Sequence, residues 1–485
     1  MDANVRCLLE GENAVKVALG KPQMPPHAVG PNHLRGSEKF QKAAHHELDN
    51  VTKRRNLNYA TTTIRVKRQN AVDELDDWQD LRDTGSAVKK DVMSRLPELL
   101  EEFERNVTAR GGHVHWARDS KEANEIIARL IEETGEKNVV KIKSMATQEI
   151  ALNEELEKRG IFAQETDLAE LIVQLGEDFP SHILVPAIHR NRAEIRDIFV
   201  NKMPNTDDTL TSDPSELADA ARSYLREQFM KAKVAISGVN FGIAETGTVS
   251  IVESEGNGRM CLTLPETLIS VMGIEKLLPS FDDLGVFLQL LPRSSTAERM
   301  NPYTSLWTGV TEGDGPKNFH IVLLDNGRTA AMSNEIGREA LKCIRCSACL
   351  NVCPVYERAG GHSYGSTYPG PIGAILTPQL TGIDSASDPN SSLPFASSLC
   401  GRCNEVCPVK IPITDILLEL RYQKAKNEPT RWEQTAFSAI SLLWGKPALW
   451  NRAVRMVALG RVLGGFNGTI DTMPPPISGW TQYRD

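Results

Sequence analysis

No run of about eighteen apolar residues occurs in this 485-residue chain, so nothing in it reads as a membrane-spanning helix. Positive charge is not in excess: 55 Lys and Arg stand against 63 Asp and Glu, a formal net charge of −8. An acidic chain does not attract a phosphate backbone, and with no DNA-binding motif present nucleic acid is a poor partner. The opening stretch, MDANVRCLLEGENAVKVALG, has charges scattered through it and no apolar core, so no secretory signal is read and a cytoplasmic location is expected. A G-x-G-x-x-G loop, a Walker loop, a catalytic triad signature and a zincin motif are all missing. So are internal repeats and low-complexity blocks. A disulfide framework is excluded as well, because the nine cysteines are odd in number and seven of them crowd between positions 343 and 407.

At about 150 residues per domain, the length suggests roughly three domains. The stretch to Gly36 mixes Pro, Gly and His without period and reads as loose. Residues 37–58 and 70–107 read as helical, and Met93, Leu96, Leu99, Leu100 and Phe103 recur at helical spacing, so one face must be buried. From Gly111 the period changes. GGHVHWA, NVVKIKS, IFAQE and HILVPAI read as strands. Each precedes a helical stretch, the first of which has Ser120 as its N-cap and Gly135 as its stop. Strand–helix units in succession predict an α/β domain with a mainly parallel sheet. After a helix near 214–230 come two or three more strands with a turn at 255–258; ETLISVMGIEKLL reads as helical and NFHIVLLDNG as the last strand. The predicted organisation is a partly helical extension (1–59), the α/β domain (60–332), a cysteine-rich helical domain (333–428) and a helical tail (429–485). The tail's two amphipathic helices break at Gly445–Pro447; for Trp432, Trp444 and Trp450 core packing is the default and a docking face for a partner the sharper alternative.

Cys343, Cys346, Cys349 and Cys353-Pro354 follow the C-x2-C-x2-C-x3-C-P spacing of bacterial ferredoxins. In that pattern three close thiolates hold one face of a cubane cluster and the fourth ligates the other cluster. The second run, Cys400, Cys403 and Cys407-Pro408, has Ser397 where the pattern's first cysteine belongs. The crossed rule assigns Cys343, Cys346, Cys349 and Cys407 to one cluster, and Cys353, Cys400 and Cys403 to the other, one thiolate short of four. A non-cysteine ligand (Ser397, a distant His or a partner's residue), an open iron site and a three-iron cluster each satisfy that deficit. Structural zinc comes as two C-x2-C pairs around one metal, and this run has too many close thiols for it. Two iron–sulfur clusters, expected as 4Fe–4S, are therefore read. The 46 residues between Cys353 and Cys400, with helices flanking both runs, favour a helical ferredoxin-type domain. Cys7 is expected as a surface thiol and Cys261 as a core residue.

Ligands of open α/β sheets bind beyond the carboxyl ends of the strands. Three such ends are polar: Lys143-Ser144, Glu165-Thr166 and His189-Arg190. Lys143 with Ser144 suits an anion, with Thr147 capping the next helix; equally, Lys143 snorkels and the hydroxyls only cap. In SGVNFGIAETGT (237–248) the glycines admit a ligand close to the backbone or serve a tight strand connection, and Glu245 is the candidate acid. Lys143, Ser144, Glu245 and Thr246 are expected to converge on a pocket for a small anionic, hydroxyl-bearing ligand. For His113 and His115, alternating on one strand, packing is favoured over ligation.

IKSMATQEIALNEEL, ETDLAELIVQL, SHILVPAIH and SGVNFGIAETGTVSIV, followed by CIRCSACLNVCPVYERAGGHSYGSTYPGPIGAILTP and SSLCGRCNEVCPVKIPI, closely resemble the lactate utilization protein B family over roughly residues 60–485. The resemblance implies a lactate-utilization domain of NagB/RpiA/CoA-transferase-like fold and makes the seven-cysteine pattern a family trait. It further implies an iron–sulfur subunit of an NAD-independent system that oxidises L-lactate to pyruvate. Its partners there are a cysteine-rich CCG-type subunit and a second protein with the same α/β domain, with peripheral association with a membrane electron acceptor as a further expectation. The alternatives are a self-sufficient iron–sulfur enzyme whose α/β domain binds a small carboxylate or nucleotide, and a regulatory iron–sulfur sensor.

Overall fold

The computed structural model describes residues 25–457 except 384, 386 and 428–430. Cys7, the side chain of Trp432 and the Pro-rich tail lie outside the described residues. The described residues up to Leu420 form one compact unit and those from Arg421 a second. The described parts of segments 1–59, 60–332 and most of 333–428 are thus stretches of one unit. Among the described residues no helix is long and apolar enough to cross a membrane.

In chain order the strands are β1 (His113–Ala117), β2 (Asn138–Lys141), β3 (Phe162–Glu165), β4 (Val234–Gly238), β5 (Phe241–Ile243), β6 (Thr248–Glu253), β7 (Thr267–Gly273), β8 (Leu277–Leu278), β9 (Tyr303–Trp307) and β10 (Asn318–Leu324). Six of them form a wholly parallel sheet in the order β1-β10-β7-β4-β2-β3. A smaller sheet, β8-β5-β6-β9, stands beside it. Each face of the parallel sheet has its own core: Ile269 and Val271 of β7 join one, and Leu268 and Met272 the other. That alternation is the two-residue period of a strand buried on both faces.

Four local expectations are corrected. ETLISVMGIEKLL is not helical; it contains β7, a central strand whose seven residues are all buried. Burial on both faces erases the polar alternation that marks a strand. HILVPAI is not a strand but a loop: Ser181 N donates to Pro186 O at 3.0 Å, while Leu184 N and Val185 N donate to His182 Nδ1 at 3.1 Å. Pro186 has no N–H to give a neighbouring strand. ATQEIALNEELEKRG makes two short helices, Met145–Glu149 and Leu152–Glu157, interrupted by Ala151 at φ +52°. The N-cap of Ser120–Glu132 is Asp119, whose carboxylate accepts from Glu122 N; Ser120 is buried and donates to Val29 O at 2.7 Å.

The helical region before β1 is four helices: Phe40–Leu48, Val51–Asp73, Trp78–Ser94 and Leu96–Ala109. Pro97, free of an N–H obligation in a first turn, starts the last of them. Met93, Leu96, Leu99, Leu100 and Phe103 are all buried. In the second unit, Arg431–Trp444 and Pro447–Val457 flank the Gly445 break, and Trp444 and Trp450 meet edge to face at 6.1 Å. Both indoles are exposed, so core packing does not describe them.

Candidate iron–sulfur site and the adjoining cavity

The cysteines sit on short helices joined by strained turns. Glu335–Leu341 leads into Cys343, Cys353 caps Pro354–Ala359, and Arg402–Val406 carries Cys403. Arg345 (φ +61°), Ser347 (φ +63°), Leu399 (φ +56°) and Lys410 (φ +49°) are left-handed without being glycine. Such conformations are costly and persist where the surroundings enforce them, commonly at functional sites. Here they accompany backbone N–H groups aimed at sulfur. Arg345 N donates to Cys343 Sγ at 3.3 Å, Ile411 N to Cys407 Sγ at 3.3 Å and Tyr356 N to Cys353 Sγ at 3.5 Å.

Cys343, Cys346, Cys349 and Cys407 line one small cavity closed by Ile344, Ile372, Val409, Ile411 and Ile413. Burial, and then the neighbouring thiolates, push Cys346 and Cys349 well above the ordinary thiol range. Burial also raises Cys407 to about 11, against N–H donors from Ile411 and Val409. Cys403 is raised to about 12 by burial and by Cys353, with Cys400 adding to it. Cys349 also feels Cys403, so the two thiol groups adjoin. Thiols packed this closely in an apolar pocket are poor thiolates alone, and a cationic iron–sulfide core supplies the missing charge. The donor set therefore fits two such cores, one with four thiolates and one with three. Cys400 is the exposed member of the smaller group, and Ser397 Oγ, beside it in sequence, accepts from Leu399 N at 3.1 Å.

The N-terminal helices clamp this segment. Arg82 donates twice to Cys407 O, at 2.8 and 3.0 Å, and Arg68 to Val406 O at 3.0 Å. Asn58 and Arg65 both hold Glu357, at 2.8 and 2.9 Å. The loop that replaces the HILVPAI strand packs on the GGHSYG turn: His362 Nε2 meets Phe179 O at 2.7 Å, and a Cβ on Gly361 would lie 1.8 Å from Ser181 O.

A second join runs through buried charge. Glu275, just past β7, accepts from Arg328 Nε at 2.6 Å and from Arg345 Nη2 at 3.1 Å. Arg328 is also paired with Glu149 at 2.9 Å, and Tyr368 donates its hydroxyl to Glu149 at 2.5 Å. Arg345 in turn donates to Cys343 O at 3.2 Å and stacks over the Tyr368 ring at 4.7 Å. Burial pushes the Glu275 carboxyl up, but Arg328 and Arg345 outweigh it and hold it at about 2. Glu275, Arg328, Arg345 and Tyr368 line a cavity of about 370 Å³ beyond the carboxyl ends of β2, β4 and β7. That is where an open parallel sheet binds its ligands.

Lys143 and Ser144 line this cavity, but Glu245 and Thr246 do not. Glu245 belongs to the β5–β6 turn of the smaller sheet, where its carboxylate accepts from Phe281 N at 2.9 Å. Thr246 bonds to Thr248 at 2.7 Å. The four residues do not converge. Lys143 is pinned, at 2.8 Å from Leu184 O and 3.3 Å from Asp167, and Ser144, not Thr147, caps the following helix. Gly238 is required there, since a Cβ would fall 2.6 Å from Ser144 Oγ. Glu165 pairs with Lys141 at 2.6 Å and Thr166 Oγ1 donates to Lys141 O at 2.8 Å. His189 and Arg190 both bind Asp178 in the loop. His113 and His115 gather on His320, with His115 Nε2 3.2 Å from its Nδ1. Cys261 is buried. Sequence reasoning missed Glu275, Lys276, Arg328 and Arg345. The strand-end rule locates the first two, but only once 267–273 is read as a strand.

Residues 100–324 match the LUD domain family and residues 339–411, which include all seven clustered cysteines, the 4Fe-4S dicluster domain family. Lactate utilization protein B of Bacillus licheniformis is 41% identical over 456 residues, covering 93% of this chain and 94% of that protein. Lactate utilization protein B of Bacillus subtilis matches at 41% with the same coverage. A crystal structure of a DUF162 family protein from Deinococcus radiodurans aligns with 47% of this chain and 98% of that one, at 12% identity and a TM-score of 0.27. With some two-fifths identity over nearly the whole of both chains, this chain belongs to the lactate utilization protein B family.

Proposed function

We propose that this chain is the iron–sulfur electron-transfer subunit of an NAD-independent system that oxidises L-lactate to pyruvate. One observation carries the reading: a LUD sheet end is tied to Cys343 through Glu275 and Arg345, and the adjoining three-thiol group reaches the surface at Cys400. The clusters that the seven cysteines would hold supply one-electron acceptance and release. The chain's own residues tune that chemistry. Apolar side chains around Cys343 and Cys407 exclude water. N–H donors to sulfur and the guanidinium groups of Arg82 and Arg345 favour the more negative state of the site. The exposed Cys400 side faces a partner: the cysteine-rich CCG-type subunit, working with a second LUD-domain protein.

The test is reconstitution of the three chains with an artificial acceptor. Lactate-dependent acceptor reduction is expected to proceed without NAD and to fall at least about tenfold when Cys343→Ser replaces the parent chain. Undiminished reduction with that variant sinks the reading.

A further inference from the structure

Beyond the cysteines, Asp178, His189 and His362 bring donor atoms within 4.8 Å of one another. Arg190, 2.5 Å from Asp178, and Lys53, 3.0 Å from His362 Nδ1, already hold that group with positive charge. A metal cation gains little there. His113, His115 and His320 form a second cluster, and no cation is bonded to it.

β1 is an edge strand of the parallel sheet and pairs with β10, with His113 directly opposite His320. Residues two apart share a face of a strand, so His113 and His115 stand on one side of β1 and His320 joins them from β10. Packing alone does not account for the three. His113 is exposed, and His115 and His320 are half-buried. Among the described residues their one hydrogen bond is internal, between His115 Nε2 and His320 Nδ1 at 3.2 Å. His113 stacks on His320 with ring centroids 5.1 Å apart. No carboxylate bonds to these rings to hold them as imidazolium, and it is neutral imidazole that ligates a metal. Arg129 and Glu133, which act on His115 from the helix packed beside β1, lie 3.9 Å apart and largely cancel.

The spacing of the nitrogens is informative. Two nitrogens bound at about 2.0–2.1 Å to one tetrahedral metal stand roughly 3.3–3.4 Å apart. His115 Nε2 and His320 Nδ1 are already close to that separation.

We propose that His113, His115 and His320 form a binding site for one borderline divalent cation of the Zn²⁺ class, with a coordination position left open to solvent. The cation replaces the proton shared between His115 and His320, and His113, exposed at the start of an edge strand, completes the set by a turn of its ring. Three nitrogen donors suit Zn²⁺, Cu²⁺ or Ni²⁺; Mg²⁺ and Ca²⁺ take oxygen. Two alternate residues of one strand and a third from its neighbour place the ligands on rigid elements. Three protein ligands with an open position are the pattern of reactive zinc sites, whereas structural ones close with four. The site lies toward the amino ends of β1 and β10, so it stands independently of the electron-transfer reading.

Equilibrium dialysis of the anaerobic, cluster-loaded full chain against radiolabelled Zn²⁺ tests this, because loaded clusters keep the seven cysteines engaged. One saturable site is expected, undisturbed by excess Mg²⁺. His115→Ala, His320→Ala and His113→Gln should each weaken it at least about tenfold, since even the loss of a ligand's outer partner carries that much. His46→Ala, at an exposed histidine of the first helix, should change nothing. Iron and sulfide contents report folding in each variant. If a variant of the half-buried pair loses its clusters, the exposed His113→Gln carries the test. Absence of saturable Zn²⁺ binding, displacement by Mg²⁺, or unchanged affinity in His113→Gln overturns the site.

Discussion

Glu275→Ala should lower the unfolding free energy by about 3–5 kcal/mol and release iron from the Cys343 group before the other. The carboxylate is fully buried between Arg328 and Arg345. Its removal leaves a guanidinium in low dielectric with too few acceptors, and that uncompensated charge dominates the cost. Arg328 retains Glu149, whereas Arg345 keeps only the Cys343 carbonyl and the Tyr368 ring. The damage therefore concentrates at Cys343. Since the folded carboxyl sits at about 2 and its ordinary value is 4.5, the stabilisation is complete above that ordinary value and fades only as pH falls toward 2. Anaerobic urea unfolding, followed at once by far-UV dichroism and by visible absorption, measures both effects. A loss under about 1 kcal/mol, or equal loss of both clusters, contradicts this account of the join.

Cys343→Ser and Cys400→Ser should damage different clusters. The first removes a ligand from the group of Cys343, Cys346, Cys349 and Cys407, which share one apolar cavity. The second leaves only Cys353 and Cys403 in a group already short of a thiolate. Cys343→Ser should thus lose one cluster's signal and keep the other. Cys400→Ser should show the opposite spectrum and the poorer retention of its cluster. Iron and sulfide counts with electron paramagnetic resonance of the dithionite-reduced variants distinguish them. Identical spectra contradict the crossed partition.

Much of the metal segment was legible because thiol spacing is a local code, and local codes survive without tertiary information. The parallel sheet was legible from strand–helix alternation, yet its centre was misread. The run from Thr267 to Gly273 is buried on both faces and has no polar alternate. That one error moved attention from the β7 end, with Glu275 and Lys276, to the Gly-rich connection with Glu245. Arg345 was invisible for another reason: between Cys343 and Cys346 it reads as spacer, and its carboxylate partner lies 70 positions away at Glu275. The loop at 178–190 was lost to apolar composition, since Ile183, Leu184 and Val185 resemble a strand until Pro186 and the bonds to His182 are known.

Rapid anaerobic mixing of the cluster-loaded chain with L-lactate, followed at visible wavelengths, tests the electron-transfer role most directly. If the chain carries electrons from a partner's chemistry, L-lactate alone leaves the clusters oxidised, and they bleach when the cysteine-rich partner is added. Equally rapid bleaching by L-lactate in the absence of any partner contradicts that role and makes this chain a self-sufficient enzyme.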